Sequence, residues 1–460
     1  MISFTSFGAA KNVTGSCHLL CVDDEQYLLD CGIFQGNPEL EVKNMEEFGF
    51  DPKDISHVLL SHAHADHSGR LPLLVKQGFN GNIYCTSATR DLSHVILTDA
   101  VKVGEMYTEA DVMETIDHFR THFYGKEKKL SSKLTYTSYN AGHILGSAFL
   151  SLQLKPKQSF LKKLFSSKQS NTVNILYTGD IGRKNNPIVN DPCTDILAPD
   201  YIFMEATYGD RLHENVSQAL SDVAEAIVAT VDRGGKVLIP TFAVERSQEI
   251  IYHLKVLMAK GAIPKVPIYL DSPMATTATG VFQIHPECFN QTLKDRFIAQ
   301  GKNPFSVSSL HVVKNNKESV SLAKSKKPCI ILAGNGMCTA GRILNHLQYG
   351  LANKNNSVLL VGYSAENTLS AKLRSGAEYV NLNGKEIFVQ ADILTTGAFS
   401  AHADYKEMLD WLKAIDTSKL KRIYLVHGND ESLKTFANYL KDSGFEDIVI
   451  VEEKKKYKLD

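Results

Sequence analysis

Three histidines and one aspartate fall within the six residues His62–His67, "HAHADH", directly after the short apolar strand "HVLLS". In an extended segment side chains alternate, so His62 and His64 point the same way. Asp66 and His67 follow at the turn where "SGRLPLLVKQG" begins to read as a helix, with Pro72 tolerated in its first turn. Such crowding constrains the fold: a strand must stop at a sheet edge and deliver ligand-type side chains to one place. His62 and His64 can hold one metal while Asp66 and His67 swing towards a second. Nitrogen and oxygen donors without cysteine favour Zn²⁺ and leave Mn²⁺ or Fe²⁺ open. A lone histidine is more often an ordinary core or surface residue; HxHxDH at a strand end is not.

The same placement recurs. Asp30 in "YLLDCG", His143 in "AGHILGSA" and Asp180 in "NILYTGD" each sit where an apolar strand stops. That loop edge is where a sheet protein assembles a site from distant segments. The first 150 residues read as short strands and hairpins. From about Gly209 the pattern changes to alternating helices and strands: helix "ENVSQALSDVAEAIVATVDRGG", strand "KVLIP", helix "AVERSQEIIYHLKVLMAKG", then strands "PIYLD", "CIILAG" and "SVLLVGY". This predicts a Rossmann-like α/β domain. Towards the C-terminus come strand "DILTTG", helix "ADYKEMLDWLKAI", strand "RIYLVHG", helix "ESLKTFANYLKDSG" and strand "DIVIVEE". The stretch "KPKQSFLKKLFSSK" (155–168) reads as a solvated basic hairpin loop, with a flap over a polyanion as the sharper alternative. "EEKKKYK" near the end reads as a biased, lysine-rich tail.

The length of 460 residues suggests about two domains. Fifty Lys+Arg against 51 Asp+Glu leave a net charge of −1, which argues against a passive nucleic-acid binder but not against an enzyme that grips phosphates locally. No early stretch has the pattern of a signal peptide, and no apolar run reaches membrane-spanning length. The eight cysteines are dispersed without a CxxC pair, so they are expected to be reduced, mostly buried thiols of a cytoplasmic protein.

"HAHADH" together with Asp30, His143 and Asp180, in that order, resembles the motif set of the metallo-β-lactamase superfamily. The resemblance implies that His62, His64 and His143 hold a first metal, that Asp66 and His67 hold a second, and that Asp180 bridges both. Asp30 then stands behind the ligands and orients their imidazoles. Two such metals, roughly 3.5–4 Å apart, share a hydroxide that attacks in line and stabilise the attacking and leaving oxygens. The expected cofactor is therefore two Zn²⁺, with Mn²⁺ as the alternative.

Three further residues narrow the branch. Glu205 in "FMEATYGDR", His402 in "FSAHADY" and His427 in "YLVHGND" resemble motifs A, B and C of the β-CASP nucleases. "FGAAKNVTGSCHLL", "PTFAVERSQEI", "LDSPMA", "GNGMCTAGRILNHL" and "VGYSAENTLSAKL" are also similar to that family, so the resemblance spans nearly the whole chain. Within that family the chain resembles bacterial and archaeal homologues of the nuclease subunit of the cleavage and polyadenylation machinery. The implied architecture is an αββα metallo-β-lactamase sandwich, residues 1–208 and 395–460, with a Rossmann-like β-CASP domain inserted at 209–394. In that family a histidine at motif C accompanies RNA enzymes and a valine DNA enzymes, so His427 implies RNA and completes the second metal site.

The same resemblance makes His402 a general acid near the leaving oxygen, held charged by Glu205, and places Asp66 in the catalytic set. The plainer alternative for Glu205 and His402 is a structural pair. Substrate contacts are expected at Ser400, at Asn335 and Gly336 in the loop "GNGMCTAGR", and at Arg246 and Arg342. Either arginine could equally serve a salt bridge. Relatives commonly carry serine where Asn335 stands. The implied activity is a ribonuclease, endonucleolytic or 5′ to 3′ exonucleolytic, that binds RNA between the two domains and leaves 5′-phosphate ends. A DNA nuclease, a metallo-hydrolase of small molecules and a non-catalytic scaffold are the alternatives. Dimers are common among such relatives, so a homodimer is one expected state.

Overall fold

The computed structural model describes residues 1–102, 104, 106–157, 172–362, 364 and 367–459. The lysine-rich stretch expected to form a basic loop lies outside them apart from 155–157. The chain divides into two compact units, Met1–Leu212 with His402–Asp460 and His213–Ala401.

The first unit is built on two seven-stranded sheets. One runs, in spatial order, Lys456–Leu459, Ile2–Ser6, Cys17–Val22, Glu25–Cys31, Ile55–Leu59, Asn82–Cys85 and Phe119–Thr121. The other runs Ile448–Ile450, Arg422–Val426, Tyr201–Glu205, Val173–Tyr177, Ala148–Leu154, Leu134–Asn140 and Glu127–Lys129. Their facing sides form one core. Phe4, Leu20, Leu29 and Leu59 come from one sheet; Leu150, Leu152, Phe203 and Tyr424 come from the other. Phe203 stacks on Phe4 and on Tyr424, with ring centroids 3.8 and 4.7 Å apart. Truncating so central a ring to alanine costs about 3–5 kcal/mol.

Helices cover both outer faces. Leu71, Leu74 and Val75 of Leu71–Lys76 pack on the first sheet. Met408, Trp411 and Leu412 of Tyr405–Ala414, with Leu433, Phe436 and Leu440 of Asp430–Asp442, pack on the second. Asp404 starts the former helix with a reciprocal capping box to Glu407. The layering is αββα, and the expected fold class is borne out.

The lysine-rich tail is not mere biased sequence. Lys456–Leu459 is a strand paired antiparallel with Ile2–Ser6. Lys456 and Lys458 face outward and Leu459 is buried, the alternation of an edge strand whose exposed lysines discourage further pairing.

The second unit holds a six-stranded, all-parallel sheet in the order Leu310–Val312, Ile268–Asp271, Cys329–Ala333, Lys236–Pro240, Ser357–Leu360 and Asp392–Thr395. Its central strands are buried along their whole length, as a parallel sheet covered on both faces requires. Helix Val216–Asp232 leads into the first of its strands, and helices such as Arg246–Ala259 and Ile343–Gly350 connect successive ones. A hairpin, Tyr379–Leu382 with Lys385–Phe388, is added to it. No helix among the described residues is long and apolar enough to cross a membrane. All eight cysteines are free thiols.

Candidate metal centre

Strand register explains why distant residues meet. Val173–Tyr177, Tyr201–Glu205 and Arg422–Val426 run parallel, with Tyr177 opposite Phe203 and Glu205 opposite Val426. The residues that follow, Asp180 and His427, therefore leave the same sheet edge that Glu205 terminates. In the facing sheet Leu29 lies opposite Leu59, so Asp30 and the segment 60–64 emerge together. Two glycines permit the close approach. A Cβ on Gly32 would stand 1.7 Å from the Asp66 carbonyl oxygen, and one on Gly182 would stand 1.8 Å from that of Gly142. After His64 the chain turns into the short helix Ala65–Ser68, which carries Asp66 and His67.

Two groups of side chains result. His62, His64, His143 and Asp180 form one; Asp66, His67 and His427 form the other. In the first, His64 Nδ1 lies 3.1 Å from His62 Nε2 and 3.2 Å from His143 Nε2. Asp180 Oδ2 lies 3.3 Å from His62 Nε2 and 3.4 Å from His143 Nε2. In the second, His67 Nε2 is 3.3 Å from His427 Nε2, which is 3.4 Å from Asp66 Oδ2. Asp180 Oδ1 joins this group, 3.3 Å from His67 Nε2 and 3.5 Å from His427 Nδ1. One carboxylate thus presents one oxygen to each group. Separations of 3.1–3.4 Å suit adjacent corners of a tetrahedron around an ion about 2.0–2.1 Å from each nitrogen. Asp180 Oδ1 is buried and accepts no hydrogen bond, as does a carboxylate oxygen reserved for a cation. The donor set fits a metal.

The electrostatics agree. Burial, then the charge of His62, pulls His64 down to about 3. Burial, then His402, holds His143 well below the usual histidine range. Both imidazoles therefore present lone pairs at neutral pH, the form a metal needs. Burial pushes Asp180 up, but the imidazoles around it, His427 foremost, outweigh this and keep its carboxyl well below the usual range. His67 moves the other way. Burial lowers it, yet Asp180, Asp66 and Asp30 together raise it well above the ordinary value. Three carboxylates around one ring make a negative well, and a proton and a divalent cation compete for it.

Behind the ligands lies a layer of hydrogen bonds. Asp30 is fully buried and accepts from Ser61 N, Ser61 Oγ, His67 Nδ1 and Tyr177 Oη, each at 2.7 Å. Ser61 Oγ, having donated to Asp30, accepts from His62 Nδ1 at 3.0 Å. Thr207 Oγ1 does the same for His427: it donates to the His427 carbonyl and accepts from Nδ1 at 3.0 Å. Each bond fixes one ring nitrogen as a donor and turns the other inward. Ser61, Tyr177 and Thr207 were not singled out from the sequence. Hydroxyl residues carry no spacing signal; only their position next to a ligand or on a site strand could have flagged them.

Glu205 and His402 stand beside the first group. His402 Nδ1 is 3.2 Å from both Glu205 carboxylate oxygens and 3.9 Å from Asp180 Oδ2. Glu205 is fully buried and also accepts from Ile181 N at 2.5 Å. Burial opposes charge on His402, but Glu205, then Asp180, raises it to about 9.

The expected substrate contacts, Ser400, Asn335, Gly336, Arg246 and Arg342, all belong to the second unit. Asn335 braces its own loop: its carboxamide accepts from Thr339 N at 3.0 Å and donates to Thr339 Oγ1 at 2.9 Å. Gly336 packs against Phe242. Arg246 is almost buried and paired with Glu249. Arg342 reaches the buried Asp271 at 2.7 Å, and His346 Nε2 holds the other oxygen of that carboxylate at 2.7 Å. For both arginines the salt-bridge role is the visible one.

Family models match three stretches of the chain: a metallo-β-lactamase superfamily domain over 19–179, a Beta-Casp domain over 247–373, and a Zn-dependent metallo-hydrolase RNA specificity domain over 386–451. The chain is 40% identical over 437 residues to Ribonuclease TTHA0252 of Thermus thermophilus, covering 94% of this chain and 95% of that protein. It is 30% identical over 450 residues to the transcription termination factor FttA of Methanocaldococcus jannaschii, covering 95% of this chain and 68% of that protein. Among solved structures, a protein of unknown function from Enterococcus faecalis V583 superposes with a TM-score of 0.57 at 13% identity over both whole chains, a likeness of fold.

Proposed function

The chain belongs to the metallo-β-lactamase/β-CASP family, and from that membership we propose that it is a di-zinc ribonuclease that hydrolyses RNA phosphodiester bonds and leaves 5′-phosphate ends. The observation that carries the reading is the division of Asp180. Its two oxygens face two separate sets of imidazole and carboxylate donors, so seven residues converge on adjacent positions. When bound, two divalent ions supply water activation near neutral pH and charge stabilisation on the phosphoryl oxygens.

The side chains do the rest. Asp30, Ser61 and Thr207 hold His67, His62 and His427 in orientation. Glu205 keeps a proton on His402, which in this reading passes it to the departing 3′ oxygen. Ser400, Asn335 and Gly336 are read as phosphate contacts, while Arg246 is paired with Glu249 and Arg342 with Asp271. Manganese in place of zinc, a cytoplasmic location and a homodimer belong to the same reading; metal analysis, cell fractionation and mass photometry test them.

The name of the Thermus relative supports RNA as substrate, as does the RNA specificity model that includes His427. The test is a side-by-side assay on matched RNA and DNA oligonucleotides labelled at the 5′ or 3′ end, with Zn²⁺ or Mn²⁺ restored. The expected result is cleavage of RNA alone, with 5′-phosphate products. Label position separates internal cleavage from stepwise removal of nucleotides. Equal cleavage of DNA, or hydrolysis of small esters without RNA, would replace this reading with another metallo-hydrolase.

A further inference from the structure

One basic, aromatic surface of the first unit has no part in the metal centre. The segment 119–129, "FRTHFYGKEKK", carries four cationic residues and one acid, interleaved with aromatic rings. It links the outermost strands of the two sheets, Phe119–Thr121 and Glu127–Lys129. Between them lies an open hollow of about 520 Å³ lined by Tyr84, Arg90, Arg120, His122 and Lys128. Phe123, beside His122, is 76% exposed. Lysines on an edge strand alone only blunt further pairing. Two arginines from different elements and an exposed phenylalanine exceed what that purpose needs.

The hollow is tied to the site. Tyr124 Oη donates to the Ser147 carbonyl at 2.8 Å, and Ser147 Oγ accepts from the backbone N–H of His143 at 3.1 Å. Thr86 and Thr89 each donate to the Gly146 carbonyl at 2.8 Å, and Arg90 follows Thr89 on the same helix. The basic segment and the His143 loop are therefore braced against each other on one rim of the sandwich.

We propose that this surface is a second RNA-binding site, one that holds a single-stranded segment of the substrate away from the scissile bond. Cations that follow a phosphate backbone beside a ring on which bases stack are the general means of binding single strands without sequence preference. Arg90, Arg120 and Lys128 meet phosphates; Phe123 offers its face to a base. Arg90 also pairs with Asp91 at 2.8 Å, and Arg120 donates to the carbonyls of Asp117 and Phe119, so both guanidinium groups are pre-positioned. The proposal rests on the ribonuclease reading for its ligand.

The test uses the full chain and a fluorescein-labelled 20-nucleotide poly(U) RNA, with affinity measured by anisotropy across a salt series. The His64→Ala background keeps the RNA intact. Replacing Arg90, Arg120 and Lys128 by Gln is expected to weaken binding at least tenfold and to flatten the slope of log K against log salt by about 2. Arg90→Lys with Arg120→Lys should restore most of the slope, and Phe123→Ala should weaken binding several-fold without moving it. Melting temperature and circular dichroism report whether each variant is folded. If folded Gln variants bind this RNA as the parent does, the proposal is wrong. If the parent binds RNA with these properties while the wild-type chain cleaves none, the surface stands and the ribonuclease reading falls.

Discussion

Asp30 Oδ2 and His67 Nδ1 lie 2.7 Å apart, both fully buried, and this bond points His67 Nε2 at Asp180, Asp66 and His427. An imidazole has two equivalent-looking nitrogens, and the carboxylate behind it decides which one is a donor. The metal centre is thus specified from behind as well as from the front.

Asp30→Asn retains the shape of that carboxylate but removes its charge. Metal affinity is expected to fall about 10–100-fold with the fold intact. Competitive chelation followed by metal analysis measures it. Unchanged affinity would show that Asp30 serves packing only.

Removing His402 or Glu205 should act on turnover rather than on metal. His402→Ala and Glu205→Gln are expected to lower kcat about 10²–10⁴-fold while KM and metal content stay near wild type. Loss of metal in either variant would assign the pair to the ligand set instead, since Asp180, Glu205 and His402 also lie within reach of one another.

Asp271 offers a test of the second unit alone. Burial pushes its carboxyl up, but His346, Ser319 and Arg342 outweigh this and hold it below the ordinary aspartate value. A depressed folded value means that the stabilisation is complete above the ordinary aspartate value and is lost as pH falls through the folded one. Asp271→Asn is therefore expected to cost about 3–5 kcal/mol at pH 7. The gap from wild type should shrink below about pH 4 in urea titrations. A constant gap across that range would mean that Asp271 contributes shape and not charge.

Much of this was legible because it was local. HxHxDH declares itself within six residues, and Asp30, His143 and Asp180 share the visible habit of ending an apolar strand. Glu205 and His427 also end apolar strands, but no ligand-dense motif surrounds them, and His402 does not end one. They stand far apart in the chain, and only likeness to a family tied them to the cluster. The hydroxyls of Ser61, Tyr177 and Thr207 were invisible because a hydrogen bond from a common residue leaves no pattern. Arg246 and Arg342 looked like phosphate grips because a sequence shows a charge but not its partner; Glu249 and Asp271 supply that partner. The lysine-rich tail hid a strand because its buried side chains, Leu459 and half of Tyr457, are outnumbered by lysines.

Metal removal should destabilise as well as inactivate. Binding to the folded chain alone raises stability by RT ln(1 + [L]/Kd), about 4 kcal/mol at a thousandfold excess over Kd. Chelator-treated protein is expected to melt several degrees lower and to recover both melting point and RNA cleavage when Zn²⁺ or Mn²⁺ is restored. Recovery of cleavage without any shift in melting would place the functional metal elsewhere.

The central claim is that seven residues from four segments build one two-metal centre. The most direct measurement is the metal content per chain of wild type and of His427→Ala, taken by elemental analysis alongside RNA cleavage on the same preparations. The expected result is about two equivalents in the wild type and about one in His427→Ala, with cleavage lost together with the second. Full cleavage by protein that holds one equivalent or none would contradict it.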